Sequence, residues 1–242
     1  MSNQTRLPQM QVTFQDLGLI PYMDAWKYQE TLFNSIISQK LANNNLPLTN
    51  QQSTNNHLLF CEHQHVFTLG KSGSEENLLA DFLQLQSKDA EFVRTNRGGD
   101  ITYHGPGQIV GYPVLNLEYF VKGIHEYVEK LEESIILTLA KYGIKGERLK
   151  GATGVWLDTG IPGKTRKICA IGVRTSRWVS MHGFAFNVNT DLSYFNLINP
   201  CGFTDKSVTS LEKELGEKAD METVKNQLRN QIAFVFNMEI RD

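Results

Sequence analysis

The chain has 242 residues, 40% hydrophobic and 21% charged, with a formal net charge of −2. That composition fits one globular domain and excludes a broad basic face for nucleic acid or a polybasic membrane patch. No apolar run approaches spanning length, MSNQTRLPQMQVTF has no apolar signal core, and three cysteines make no disulfide framework, so a cytoplasmic protein with reduced thiols is expected.

Val12 to Leu19 is short and apolar-rich and reads as a first strand. Pro21 to Leu41 reads as a helix, with Tyr22, Trp26, Phe33, Ile37 and Leu41 on one face and Pro21 in the first turn. The Asn- and Gln-rich stretch 42–56 reads as a solvated loop. His57 to Leu69 reads as one strand-like segment. Within it His63 and His65 alternate on one face, but no third ligand accompanies them, so no metal site is expected. Glu75 to Gln86 suggests a short helix or turn. Ile109 to Leu117 is a continuous apolar strand, and Pro113 predicts that it is an edge or bulged one.

Ile124, Tyr127, Val128, Leu131, Ile135 and Leu139 keep helical spacing up to Gly143. Thr153 to Leu157 and Lys167 to Arg174 read as strands joined by a hairpin loop, DTGIPGKTR. Met181 to Val188 reads as a further strand, and Asp191 to Phe195 as a turn or short helix. Met221, Val224, Leu228, Ile232 and Val235 or Phe236 mark a C-terminal helix. With no repeat and no linker, the pattern predicts one α+β domain over 1–242, a mixed sheet flanked by helices.

The stretch richest in chemistry is RGGDITYHGPGQ, Arg97 to Gln108, with four glycines among polar side chains. Glycine lets the backbone turn tightly and lets another molecule come close, so this stretch suggests a ligand cradle. Two thiols compete as a nucleophile. Cys201 lies between Pro200 and Gly202 in an irregular setting, where a thiol can face a pocket. Cys169 lies in an apolar strand, but Lys167 two positions earlier should share its face. A nucleophilic Cys201 would need a cation or base, because the thiolate is the attacking species. The candidates are His104, His182, Lys164, Arg166 and Lys167.

Five ordered motifs carry a specific resemblance. RGGDITYHGPGQ at 97–108, GVW at 154–156, KICAIGVR at 167–174, HGFAFNVNTDLSYF at 182–195 and INPCGF at 198–203 closely resemble the lipoyl(octanoyl) transferases. The motif-bearing core runs from about 58 to 203. The resemblance implies the biotin and lipoate ligase type of α+β fold. It implies that Cys201 carries the acyl group as a thioester and that Lys167 activates it, which favours Cys201 over Cys169. Arg97, Gly98, Gly99, Asp100, Ile101, Thr102, Tyr103 and His104 match the acyl-pocket segment. Ala170, Ile171 and Gly172, with Gly183, Phe184 and Ala185, match the two others. Tyr103, His104 and His182 are candidates for orienting the thioester. Ala170 and His65 stand where many members carry other residues.

The implied reaction transfers octanoyl from octanoyl-acyl carrier protein to a lysine of lipoyl domains, in 2-oxoacid dehydrogenase complexes and the glycine cleavage H protein. It is expected to use no cofactor or metal and to come from a monomer. Lys71, Arg94, Lys164, Arg166, Arg174 and Arg177 are candidates for a local basic patch facing the acidic carrier. An ATP-dependent lipoate–protein ligase is the alternative with the same fold.

Overall fold

The apolar run Leu58–Cys61 explains the layering of the molecule. Leu58 and Phe60 face one side, with helix residues Tyr127, Leu131, Leu228 and Ile232, while Leu59 and Cys61 face the other, with Ala25. A strand covered on both faces reads as continuous hydrophobicity, because period-2 alternation exposes neither side. The computed structural model describes residues 10–80, 82–199 and 206–242.

The strands in chain order are β1 (Met10–Leu19), β2 (Asn56–Glu62), β3 (Val66–Leu69), β4 (Glu91–Arg94), β5 (Ile101–His104), β6 (Gln108–Val114), β7 (Glu147–Leu149), β8 (Ala152–Leu157), β9 (Arg166–Ser176), β10 (Val179–Asn187), β11 (Ser207–Val208) and β12 (Met238–Arg241). The helices are α1 (Tyr22–Asn43), α2 (Phe82–Ser87), α3 (Ile124–Ala140), α4 (Leu211–Leu215) and α5 (Met221–Phe236). The large mixed sheet runs β12-β1-β2-β6-β10-β9-β8-β7, with β11 beside β9, and a small sheet runs β4-β3-β5. β1 is parallel to β2 and β12, whereas β6, β10, β9 and β8 follow one another antiparallel. Helices α3 and α5 pack on one face and α1 on the other.

Most helices and strands lie where the sequence predicts them. Helix α1 starts after Pro21 as expected, but Leu41 is exposed, and Ala25, Gln29 and Ile36 complete the buried face. The loop after α1 is stapled by Asn43, whose amide donates to the Gln52 carbonyl and accepts from the Gln52 N–H. His57–Leu69 is two strands, not one. The chain breaks at His63–His65 and passes from the large sheet to the small one. His63 turns inward, with Nδ1 2.8 Å from the Ile20 carbonyl and Nε2 2.7 Å from the Tyr112 hydroxyl. His65 instead stacks on Tyr194, ring centroids 4.2 Å apart. The two imidazoles therefore have separate partners and no common face.

Pro113 is the clearest correction. Strand β6 is central, between β2 and β10. It tolerates proline because the β10 ladder lapses there, after Gly111–Phe184, and resumes in the same register at Asn116–Val179. Ser180 fills the gap. Its hydroxyl donates to the Pro113 carbonyl at 2.8 Å and accepts from the Leu115 N–H at 3.1 Å. Ser180→Ala takes the acceptor from the buried Leu115 N–H and leaves the Pro113 carbonyl only the Tyr127 hydroxyl at 3.5 Å, and should cost about 1–3 kcal/mol. A urea unfolding midpoint unchanged from wild type would contradict this.

Candidate functional site

A cavity of about 770 Å³ opens between the small sheet, the N-terminal turn of α1 and the large sheet. Its size is ordinary for a small-molecule site. Three sequence-distant segments meet around it, and glycine decides how closely they approach. The turn 96–100 lies on β9, with the Gly98 N–H donating to the Val173 carbonyl at 2.9 Å. A Cβ on Gly172 would stand 2.8 Å from the Gly98 carbonyl oxygen and 3.3 Å from Arg97 Cδ. The small residues there make room for neighbouring chain as well as for a ligand.

Of the predicted acyl-pocket residues, Arg97, Gly99, Asp100, Ile101, Thr102, His104, Ala170, Ile171, Gly172, Gly183, Phe184 and Ala185 line the cavity. Gly98 and Tyr103 are not among the lining residues. Gly98 is spent on the contact with Val173. Tyr103 is fully buried on the other side of β5, its hydroxyl 2.7 Å from His65 Nδ1 and its ring stacked on Tyr194. Alternation along β5 sends Tyr103 away from the cavity and its neighbours Thr102 and His104 toward it.

Arg97 is buried. Its guanidinium donates to the Thr68 carbonyl at 2.5 Å, to the Thr68 hydroxyl at 2.9 Å and to the Gly98 carbonyl at 3.0 Å. Asp100 accepts from the Asn77 amide and from the Ile101 N–H, both at 2.7 Å. The Gln108 amide nitrogen donates to Asn187 Oδ1, which turns the Gln108 oxygen to His104 Nδ1 at 2.9 Å. His104 therefore carries its proton on Nδ1. His182 has Nε2 2.6 Å from Asn96 Oδ1, so Nε2 is the donor, and its buried Nδ1 has no hydrogen-bond partner among the described residues.

Burial keeps these imidazoles neutral. It holds His104 well below the ordinary range, helped by His63 and Arg97. It lowers His182 to about 3, with Arg97 and Arg174 adding to the effect, and lowers His63 to about 4. An unfolded histidine takes a proton near pH 6.5, which the folded one refuses. Stability is thus fully present above pH 6.5 and falls as pH drops toward 4, by several kcal/mol in all as an order of magnitude. Urea midpoints should be clearly lower at pH 5 than at pH 7; equal midpoints would refute the neutral cluster.

Lys167 lines the cavity and Cys169 does not. The expected shared face fails because β9 is bulged. Val155 pairs with Cys169 but the next residue, Trp156, pairs with Lys167, so Ile168 is extra. Ile168 and Cys169 both go into the core, fully buried. Burial pushes the Cys169 thiol far up, so it stays protonated. Lys167 is left on the cavity side with Nζ 4.5 Å from the centre of the Trp156 ring. One inserted residue reverses alternation, a familiar effect of a β-bulge.

Cys201 lies outside the described residues. Asn199 before it and Lys206 after it both line the cavity. Asn199 is pinned by its N–H to the Asn77 carbonyl at 2.8 Å, and the downstream stem runs parallel to β9, Val208 against Lys167. The sequence reading missed Tyr22, Trp156, Gln108 and Tyr112 as lining residues.

A family model described as the lipoyl protein ligase A/B catalytic domain matches residues 21–233. The chain belongs to this family. Among its curated relatives, an octanoyltransferase of Flavobacterium johnsoniae is 56% identical over 95% of this chain and 98% of its own. One of Cytophaga hutchinsonii is 53% identical over 96% and 95%. Among solved structures, an archaeal bipartite lipoate protein ligase from Thermoplasma acidophilum superposes with a TM-score of 0.67 at 14% identity, over 97% of this chain and 86% of that one. That distant likeness establishes the shared ligase A/B fold, a mixed sheet with flanking helices.

The expected basic patch is thinner than the sequence suggests. Arg166 is clamped by Asp158 at 2.5 Å and Glu214 at 2.6 Å, and Arg94 is paired with Glu75. Lys206 and Lys213, not singled out from sequence, line the cavity. Among the described residues no His, Cys, Asp and Glu cluster could hold a metal ion, and no helix is long and apolar enough to cross a membrane.

Proposed function

We propose that this chain is an octanoyltransferase of endogenous protein lipoylation, with Cys201 as nucleophile and Lys167 as its proton partner. The carrying observation is that Lys167 enters the cavity from bulged β9 while Asn199 and Lys206, the residues flanking the segment with Cys201, line the same cavity. Two residues of chain span at most about 7 Å, which supports reading Cys201 as the nucleophile that serves this cavity. The other two thiols, Cys61 and Cys169, are fully buried.

The chemistry closes on itself. The Cys201 thiolate attacks the carbonyl of the donor thioester beside the Lys167 ammonium. The new C–S bond forms as the donor's C–S bond breaks, and the departing thiolate takes the Lys167 proton. In the second half a neutral lysine amine of the acceptor attacks. Its proton passes to the now neutral Lys167, the C–N bond forms, and the Cys201 thiolate leaves. The thiolate and ammonium pair is restored, and the activation comes from the donor thioester without ATP. The apolar part of the cavity, with Val110, Ile171 and Phe184 in its wall, receives the acyl chain. At about 0.8 kcal/mol per buried methylene, six methylenes contribute roughly 5 kcal/mol.

The donor is octanoyl-acyl carrier protein. The acceptors are lipoyl domains of 2-oxoacid dehydrogenase complexes and the glycine cleavage H protein. A single domain over 1–242, working as a cytoplasmic monomer without metal or cofactor, completes the reading. The test is the intact mass of the protein after mixing with octanoyl-acyl carrier protein and no ATP. A hydroxylamine-labile octanoyl adduct that maps to the Cys201 peptide is the expected result. Acylation of a lipoyl domain only when ATP is supplied would instead favour the ligase chemistry of the shared fold.

A further inference from the structure

Lys167 does not reach the cavity by strand alternation alone. Three features of the neighbouring strand shape its path. First, Trp156 is its cross-strand partner and offers its ring face to the ammonium, Nζ lying 4.5 Å from the centroid. Second, Trp156 is itself immobilised: the side chain is 2% exposed and its indole N–H donates to the Ala152 carbonyl at 2.9 Å. Third, Gly154 lets β8 approach the β9 backbone closely beside the stem. Its φ is +121°, and a Cβ there would lie 3.5 Å from Lys167 Cε and 2.5 Å from the Cys169 carbonyl oxygen. The Gly154 N–H donates to buried Glu132 Oε1 on α3 at 2.9 Å, and the other Glu132 oxygen accepts from Arg148 Nε at 3.1 Å. The glycine turn is thereby tied to the helix layer.

We propose that Trp156 is a positioning residue for the reaction: its indole face is the shelf that fixes the Lys167 ammonium at the cavity wall. This rests on the reading of Lys167 and Cys201 given above. The physics is directional. An ammonium over an aromatic face is attracted by the ring quadrupole, most strongly over indole and most strongly when desolvated. A lysine stem has four rotatable bonds, so without the shelf the ammonium samples many placements and spends little time beside the thiol. In this scheme Trp156 acts through Lys167.

That indirect action gives the test. Cys61 and Cys169 are buried, so the rate of iodoacetamide alkylation of the folded protein reports on the Cys201 thiolate. It is measured at pH 7 for wild type, Trp156→Leu, Lys167→Met and the double variant. Expected is a loss of about tenfold for Trp156→Leu in the wild-type background, the scale of one desolvated cation–π contact, and less than twofold in the Lys167→Met background. A merely structural tryptophan would lower the rate by the same factor in both backgrounds, and that additivity would overturn the proposal. So would an unchanged rate for Trp156→Leu alone. If Lys167→Met itself leaves alkylation unchanged, the role given to Lys167 fails and this one with it. Should Trp156→Leu not fold, Trp156→Phe takes its place in the cycle, with a loss of about threefold expected beside Lys167 and none beside Met.

Discussion

Lys167→Met should lower the rate of octanoyl transfer by about 10²–10⁴-fold, the usual range for removing a positioned proton-transfer group. The loss should appear in both half-reactions. Acylation of Cys201 loses the cation that favours its thiolate and the acid that protonates the leaving thiol. Deacylation loses the base for the incoming amine. Methionine keeps the stem length and the contact with Trp156 without the charge, so folding should be little affected. Lys167→Arg separates the two roles. It keeps the charge but gives up no proton near neutrality, so alkylation of Cys201 should persist while turnover collapses. Single-turnover formation of the octanoyl adduct, followed by its transfer to a lipoyl domain, measures each half. Full turnover in the arginine variant would eliminate the acid and base role.

Gly183→Ala should be among the most damaging small substitutions of the described residues, costing roughly 3–5 kcal/mol or preventing folding. An added Cβ would stand 2.1 Å from the Gly111 carbonyl oxygen and 2.8 Å from Pro113 Cδ. These atoms belong to the central strand β6, which is held by β2 on its other side and cannot retreat cheaply. The neighbouring residue adds to the constraint: His182 already has a left-handed backbone, at φ 58°. The place where β10 crosses Pro113 is thus filled by backbone from both strands. A melting temperature within about 2 °C of wild type would contradict the crowding, since even 1 kcal/mol shifts a domain of this size by roughly that much. For comparison, Gly160→Ala, where a Cβ would meet nothing within 4 Å, should be nearly neutral.

Long periodic segments are legible in the sequence by themselves: α1, α3 and α5, the β8–β9 hairpin, and the glycine-rich turn that lines the cavity. Their local pattern and their tertiary role agree. Three things are not legible, for one shared reason. The sheet switch at His63–His65, the bulge at Ile168 and the central place of Pro113 depend on which strand lies alongside, and a single strand's pattern carries no record of its neighbour. Apolar residues at Ile168 and Cys169 are compatible with an even strand, and only the pairing with Val155 and Trp156 reveals the extra residue. Tyr103 shows the same limit in the site itself. It lies inside a motif whose neighbours line the cavity, yet its ring belongs to the stack with His65 and Tyr194. Within a strand, motif membership says little about side, because side changes at every residue. The short β12 escapes sequence reading because four residues with mixed polarity give no periodic signal.

The pairing of Met10 with Met238 through Thr13 with Arg241 sets an order of events during synthesis. Strand β1 leaves the ribosome well before β12. Until then β1 has β2 on one side and an open hydrogen-bonding edge on the other, a template for wrong partners. Helix α5, which supplies Leu228 and Ile232 to the main core, arrives just before β12. The earlier strands and α3 can collapse while the chain is still growing, but that core and that edge close only once α5 and β12 have followed. The nascent protein therefore passes through a long interval in which most of its cavity-lining residues have been made and its sheet is still unsealed, the interval in which a chaperone would matter most.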